Sequence, residues 1–409
     1  MKLIDQNKLC IVDILFGLYI FTQSCITTPL IINLTLIAFC ISVMIIQFRH
    51  LFFSMYSMLG ILFIFYHCSH IFLGITVIDS IALDDLTRVI SIFLVDLCYI
   101  NYFLQKNNIK DILSIYLSAS FLAYFLLLLL FGTTLNNRIE SLVISKEIFG
   151  ITISGGVATK VGMGASLGYF LSFIRYYDEN NLKLFLYCLI FGLVTLLSGT
   201  RKVLLLILFA TLLIPLIKAD KVSKKMKWII TFFILAIIIL QILLHIPSIY
   251  SSMYRRINRL FTFFETGSGD SSSEVRNYLL IQARNAFSQK PVLGWGLENF
   301  REIFDNGRFH CHNNYWEMLV SGGIIGFLLF YCKYILIVID FIQLKRNNRI
   351  LYFEKCFFVL FILMIVLEYW QRTYNQRTMS IIYTIIYSLF WISKNEITEN
   401  NKDLTSKSI

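Results

Sequence analysis

Two basic side chains stand where their surroundings would let them do chemistry. Arg201 lies in the run Leu197-Ser-Gly-Thr-Arg-Lys-Val-Leu-Leu205, just before an apolar stretch. A cation there opposes the helix dipole, whose exposed N–H groups already make that end positive. The placement becomes favourable when an anion binds, because a guanidinium and a helix N-terminus together form a receptor for a diphosphate or a carboxylate. The competing reading is an interfacial arginine that snorkels to lipid headgroups. His312 opens a second such stretch, His310-Cys-His-Asn-Asn-Tyr-Trp-Glu-Met-Leu-Val-Ser-Gly-Gly-Ile-Ile-Gly326. A histidine at a membrane surface can accept a proton near neutral pH. Gly323 follows it by eleven residues and Gly326 by fourteen. On a continuous helix both fall within about 40° of the histidine's face, placing a glycine groove beneath it. The competing reading is a polar cluster that caps a helix.

Metal chemistry fits poorly. His310, Cys311 and His312 are close in sequence, as are His67, Cys68 and His70, but adjacent helical residues point about 100° apart and neither cluster has metal-ligand spacing. No metal is expected. Asp13, Asp96 and Asp340 lie in or near apolar stretches as possible proton or ion ligands. There is no Gly-x-x-x-x-Gly-Lys-Ser/Thr loop, so an ATP-driven pump is disfavoured.

The elements that must position these residues are apolar. Of 409 residues 57% are apolar and 15% charged, against about 25% charged in soluble domains, and the mean hydropathy is +0.71. Apolar runs bounded by charge or turn residues fit the roughly 20-residue template of a transmembrane helix about twelve times. They cover 9–24, 29–48, 51–74, 87–104, 111–134, 157–176, 183–199, 201–217, 227–247, 315–342, 355–371 and 377–393. The expected fold is all-α, a single transmembrane helical domain over 1–409. The sixth run is glycine-rich, which suits close packing inside a bundle.

The net charge of +11 is not a nucleic-acid signal, because Lys and Arg gather in short loops at 106–110, 218–227 and 345–355. The positive-inside rule makes these loops cytoplasmic, and alternation then puts both termini inside. It puts 75–86, 135–150, 198–201 and the 67-residue stretch 248–314, between the ninth and tenth runs, outside. Arg372 and Arg377 then lie outside against the rule, which is tolerable where they meet an anion or a partner. Seven of the nine cysteines lie in or beside apolar runs and imply no disulfide framework. Within 248–314, Ser271-Ser-Ser-Glu274 has the Ser-x-x-Glu spacing of a helix start. Val275, Tyr278, Leu279, Ala286 and Phe287 then predict an amphipathic helix over about 274–289, ended by Pro291.

In this setting the chain resembles the O-antigen ligase and O-antigen or capsule polymerase family of membrane glycosyltransferases. The matching pieces are Arg201-x-x-x-Leu205, then Pro291-x-x-Gly294-x-Gly296-x-x-x-Phe300, then His312-Asn313-x9-Gly323-x-x-Gly326. The resemblance covers about 150–345. It implies transfer of a glycan from a polyprenyl-diphosphate-linked oligosaccharide to a sugar hydroxyl at the outer face of a bacterial cytoplasmic membrane, with neither metal nor cofactor. His312 and Arg201 take the catalytic positions. Arg201, Arg276 (in Arg276-x-x-x-Leu280) and Asn313 take the diphosphate- or glycan-binding ones. Leu205, Gly294, Gly296, Gly323 and Gly326 take the structural ones. The Ser321-Gly-Gly run is similar to capsule-type members, so a repeat-unit polymerase is expected, with a ligase as the alternative and a lipid-linked oligosaccharide transporter behind it. The partners implied are the lipid-linked substrate, the bilayer, a repeat-unit flippase and a chain-length regulator, with no nucleic acid.

The topology is open to a direct check. A cysteine at Ser272 is expected to react with a membrane-impermeant thiol reagent in intact cells, and one at Ser223 to react only after lysis. The reverse pattern would invert the whole arrangement.

Overall fold

A computed structural model describes residues 6–47, 51–131, 145–148, 151–154, 158–198, 200–244, 271–305, 309–347 and 350–406. The chain divides into two compact units, Met1–Arg49 with Lys106–Arg256, and His50–Gln105 with Ile257–Ile409.

The first unit holds α1 (Gln6–Cys25), α2 (Pro29–Gln47), α5 (Ile109–Phe131), α6 (Ala158–Glu179), α7 (Leu182–Ser198), α8 (Arg201–Lys218) and α9 (Val222–Leu244). The second holds α3 (Met55–Phe72), α4 (Asp79–Lys106, to Gln105), α10 (Ser271–Gln289), α11 (Asn299–Asp305), α12 (Asn314–Arg346), α13 (Tyr352–Leu367), a 3-10 turn at Glu368–Trp370 and α14 (Arg377–Ser406). Each of the twelve predicted apolar runs coincides with a helix, α1 to α9 and α12 to α14. Among the described residues four of these, in α2, α3, α5 and α12, are long and apolar enough to cross a membrane, and α1 and α7 carry shorter apolar stretches. Others extend into charged sequence: α4 starts eight residues before its apolar run and takes in Asp79, Asp84 and Asp85. Of the stretch 248–314, residues 248–270 and 306–308 lie outside the described residues.

The expectation of an all-helical chain is corrected at one place among the described residues. Strands β1 (Ser145–Ile148) and β2 (Ile151–Ser154) form an antiparallel hairpin in register Ser145↔Ser154. The alternating Ile-Thr-Ile of β2 suits a strand. Its Thr152 carbonyl accepts from Thr27 N (3.1 Å) and its amide donates to Thr28 Oγ1 (3.0 Å), which pins the turn between α1 and α2. The glycine-rich face of α6 works as expected of small residues: a Cβ on Gly168 would lie 2.9 Å from the Phe191 ring of α7, so only glycine lets the two helices approach this closely.

Charge marks one end of each unit. In the first, Asp178 near the end of α6 takes Lys110 of α5 at 2.7 Å and Lys218 at the end of α8 at 3.4 Å. In the second, Asp340 of α12 takes Lys394 of α14 at 2.7 Å. These contacts bring together helix ends that alternation places on one side. Asp13 likewise pairs with Lys106 at 2.5 Å, so Asp13 and Asp340, two of the three acids noted in apolar surroundings, are neutralised within their units.

The feature that positions the site is a break in α12. Gly323 takes φ 61° and ψ −164° in the middle of the helix, which therefore runs as two half-helices. A break removes backbone partners, and in an apolar setting each lost hydrogen bond must be replaced. The 291–296 segment replaces them. Trp295 N donates to Val320 O and Gly296 N to Ser321 O, both at 2.9 Å, while Ile324 N donates to Pro291 O at 2.9 Å and Ile325 N to Val292 O at 3.4 Å. Tyr66 of α3 closes the gap by donating its hydroxyl to Gly322 O at 2.7 Å. The continuous helix assumed for the face of His312 does not exist, and of the two motif glycines only Gly326 lies along the second half, against Tyr66. Gly323 and Gly294 are required where they stand: a Cβ on Gly294 would sit 2.6 Å from Val320 O and Ser321 O, and one on Gly323 would collide with Val292 O.

Gly323→Ala and Gly294→Ala are therefore expected to lower the thermal midpoint of the purified protein and its yield. The left-handed backbone costs about 1–3 kcal/mol by itself and the collisions add to it. Gly192→Ala, whose Cβ would make an ordinary 3.6 Å contact with Tyr169, is the control that keeps both near wild type. Equal midpoints for all three variants would contradict the inserted-loop geometry.

Candidate functional site

The loop inserted into α12 leads directly into a buried polar cluster of the second unit. Past Gly296 the chain reaches Glu298, which is 4% exposed and holds φ 59°. The next residue, Asn299, fastens this turn by accepting from Ile78 N at 2.7 Å. Glu298 pairs with Arg372, which lies between the 3-10 turn and α14. The same guanidinium reaches Nδ1 of His310 at 3.1 Å. Two residues on, Tyr374 donates its hydroxyl to Asp85 of α4 at 2.5 Å, and Asn375 Nδ2 donates to the other oxygen of that carboxylate at 3.2 Å.

Asn314 ties this loop to α12. Its Oδ1 accepts from Thr373 N (2.9 Å) and Tyr374 N (3.0 Å), and its Nδ2 donates to Tyr331 OH (2.9 Å) and to Glu368 (3.1 Å). The Glu368 carboxylate is fully buried and also accepts from Tyr331 (2.8 Å) and Tyr383 (2.9 Å). Each acid of this cluster is thus met by donors, which is what keeps a buried carboxylate affordable. Burial, and then the Arg372 charge, push the His310 ring down to about 4. The surrounding carboxylates and Tyr374 hold the Arg372 guanidinium above its already high range despite its burial.

His312 sits beside this cluster with φ 54°, a left-handed backbone that side chains other than glycine and asparagine seldom adopt, and its ring lies 6.0 Å from that of Phe309. Asn313 is the N-cap of α12: its Oδ1 accepts from Trp316 N at 3.1 Å, while its buried Nδ2 has no partner among the described residues. Of the predicted site residues, His312, Asn313, Gly294, Gly296, Gly323 and Gly326 gather around the start and the break of α12. Arg276 is exposed on α10. That helix buries Leu279, Ala283 and Ala286 against Phe300, Cys311 and Val320, whereas Val275 and Tyr278, expected on its apolar face, are exposed. Arg201 and Leu205 belong to the other unit, in the first two turns of α8, and the Arg201 side chain lies outside the description. Thr200, the N-cap of α8, makes no side-chain capping bond there, and its hydroxyl meets that of Ser198 at 3.0 Å instead.

Sequence reasoning passed over Glu298, Asn314, Glu368 and Asp85. It touched Arg372 only through the charge rule, as an arginine expected to meet an anion or a partner, and within its unit Arg372 pairs with Glu298. Among the described residues no group of three or more His, Cys, Asp or Glu could hold a metal ion.

Helices of this length and apolarity make the chain a multi-pass membrane protein. Residues 186–331, about a third of the chain, match the model of the family described as O-antigen ligase, a family of glycosyltransferase-like membrane enzymes, and the matched stretch runs from within α7 to the middle of α12. It contains Arg201, Arg276, the inserted loop, His312 and the break. No curated protein matches the chain.

The cluster gives a pH dependence whose sign is fixed. A ring held down to about 4 refuses a proton that the unfolded chain, with a histidine near 6.5, accepts. Its contribution to stability is full above about pH 6.5 and is lost as pH falls toward 4. The thermal midpoint of wild type is expected to drop further between pH 7 and pH 5 than that of His310→Gln. Identical drops would show that His310 titrates as it does in the unfolded chain.

Proposed function

We propose that the protein polymerises polyprenyl-diphosphate-linked oligosaccharide repeat units into a surface polysaccharide at the outer face of a bacterial cytoplasmic membrane. The observation that carries this reading is His312, a proton acceptor on a left-handed backbone at the mouth of an apolar helix, inside the stretch matched to the O-antigen ligase family. In the reaction an acceptor hydroxyl oxygen bonds to the anomeric carbon of the donor sugar while the bond from that carbon to the diphosphate oxygen breaks. His312 takes the hydroxyl proton, a role worth on the order of 10²–10⁴ in rate. The leaving diphosphate gathers negative charge, which Arg201 and the uncapped N-terminus of α8 are suited to receive. Arg276 serves the second phosphate, and the unpartnered Nδ2 of Asn313 serves a glycan oxygen. The exposed apolar faces of the helices meet lipid and the polyprenyl tail. Neither metal nor cofactor takes part. A flippase delivers the repeat units, and a chain-length regulator acts on the product.

The description of the matched family favours a second reading, a ligase that moves the finished glycan to a different acceptor. Deleting the gene separates the two. Loss of a polymerase leaves single repeats that are still exported and attached, whereas loss of a ligase accumulates long chains on the lipid. The single-repeat outcome is expected, and His312→Ala is expected to reproduce it with normal protein abundance. Arg201→Lys is expected to lose most of the polymer as well, because a point charge cannot make the planar two-pronged contact. Normal polymer in the Arg201 and His312 variants would remove both residues from the reaction.

A further inference from the structure

His310 has one ring nitrogen fixed by the fold and one left over. The Nδ1 atom lies 3.1 Å from Nη1 of Arg372 and 3.5 Å from a Glu298 oxygen. An arginine has donors and no acceptor, so in the shorter contact Nδ1 must accept. Arg372 takes Oε1 of Glu298, while the oxygen near the ring is Oε2, whose 3.5 Å contact with Nδ1 is longer than that of the guanidinium, so the arginine contact sets the ring. An imidazole that accepts at Nδ1 carries its proton on Nε2. Arg372 and Glu298 face the ring from two different loops, and Arg301 of α11 and His312 of its own loop are the other charged or titratable groups felt there. Three of these four are basic, so a second proton on the ring is resisted. The side chain is 24% exposed, and its contacts with Arg372 and Glu298 both run through Nδ1 and leave Nε2 to face outward from them.

The backbone singles out the same place. Among the described residues four other than glycine hold a positive φ: Asn107 and Asn180, asparagines in turns between helices, and Glu298 and His312. Asparagine tolerates this region, while glutamate and histidine are held there only by their surroundings. Both strained residues border His310.

We propose that the Arg372–Glu298 pair locks His310 as a neutral ring with its proton on Nε2, and that this N–H donates to a sugar oxygen of the lipid-linked glycan that His312 serves. The donor role rests on the glycan-joining function proposed above, whereas the tautomer does not. Two histidines separated by one residue then divide the work: His312 accepts a proton and His310 offers a fixed hydrogen bond. Arg372 and Glu298 act through His310 and are positioning residues.

The tautomer is read in full-length, ¹⁵N-histidine-labelled protein in nanodiscs, with His310 assigned by difference against His310→Gln. Nδ1 bare and Nε2 protonated at both pH 7 and pH 5.5 is the expected result. A proton on Nδ1, or a doubly protonated ring at pH 5.5, overturns the lock. The donor role is read in glycan joining with a lipid-linked oligosaccharide as substrate. The amide of glutamine reaches the place of Nε2, and that of asparagine stops near Nδ1. His310→Gln is therefore expected to stay within about threefold of wild type and His310→Asn to fall about tenfold, the worth of one hydrogen bond, with equal protein levels. Equal losses, or asparagine outperforming glutamine, overturn the donor role. A wild type that joins no glycan overturns the functional reading and the donor role together, while the nitrogen spectra still decide the tautomer.

Discussion

Unpaired backbone polar groups are intolerable in an apolar interior, and the break in α12 turns that constraint into architecture. Opening the helix at Gly323 exposes the Val320 and Ser321 carbonyls and the Ile324 and Ile325 amides, and each finds its replacement in the 291–296 segment. Pro291 suits this exchange because only its carbonyl is used and it has no N–H to satisfy. Gly294 is needed because the two backbones touch there. Once the segment is locked, the next residues have no freedom: Leu297 to Asn299 must leave the break in one direction, and Glu298 arrives beside Arg372. The site is thus placed by main-chain hydrogen bonds several residues away from the side chains that would do the chemistry.

The cluster that results is rich in acids. Asp85, Glu298, Glu317 and Glu368 are all buried, and Arg372 pairs directly with Glu298. Such a group survives because hydroxyls and amides carry much of the load: Tyr331, Tyr383 and Asn314 serve Glu368, Tyr374 and Asn375 serve Asp85, and Cys311 N serves Glu317 at 3.2 Å. The cation is therefore spent on Glu298 and His310, the members that border His312. Removing one partner of a buried pair strands the other charge, so these residues hold one another to a single arrangement. Rigidity of this kind is what a site needs when function depends on where a hydrogen bond points.

Much of the scaffold was legible because a membrane helix is written in composition over some twenty residues. The start of α2 at Pro29, the end of α7 at Ser198 and the start of α8 at Arg201 fall at or within one residue of the runs read from the sequence. The break was not legible. Extrapolating at 100° per residue from His312 assumes an unbroken helix, and the Gly322-Gly323 pair that violates the assumption reads equally well as a packing groove. Asn313 and Asn314 show a similar limit: adjacent and identical in type, one caps a helix through a local contact while the other clasps a loop 59 residues away. Only the local role has a sequence signature. The β-hairpin escaped because eight residues are too few to stand out among apolar runs.

The two ends of the second unit show how position decides what a charge does. At one end Asp340, whose side chain is 9% exposed, meets Lys394, whose side chain is 40% exposed, and a pair with one partner so open to solvent contributes less. At the other end Glu298 and Arg372 are 5% and 18% exposed, and the same kind of pair becomes a constraint on its neighbours. Span alternation leads one to expect Arg372 on the outer face, against the usual bias. The bias concerns charges left to meet lipid and water, and an arginine held by Glu298, His310 and Tyr374 is largely withdrawn from both. Its hold on the loop between α13 and α14 therefore has one cause: the carboxylate carried to it by the segment that mends α12.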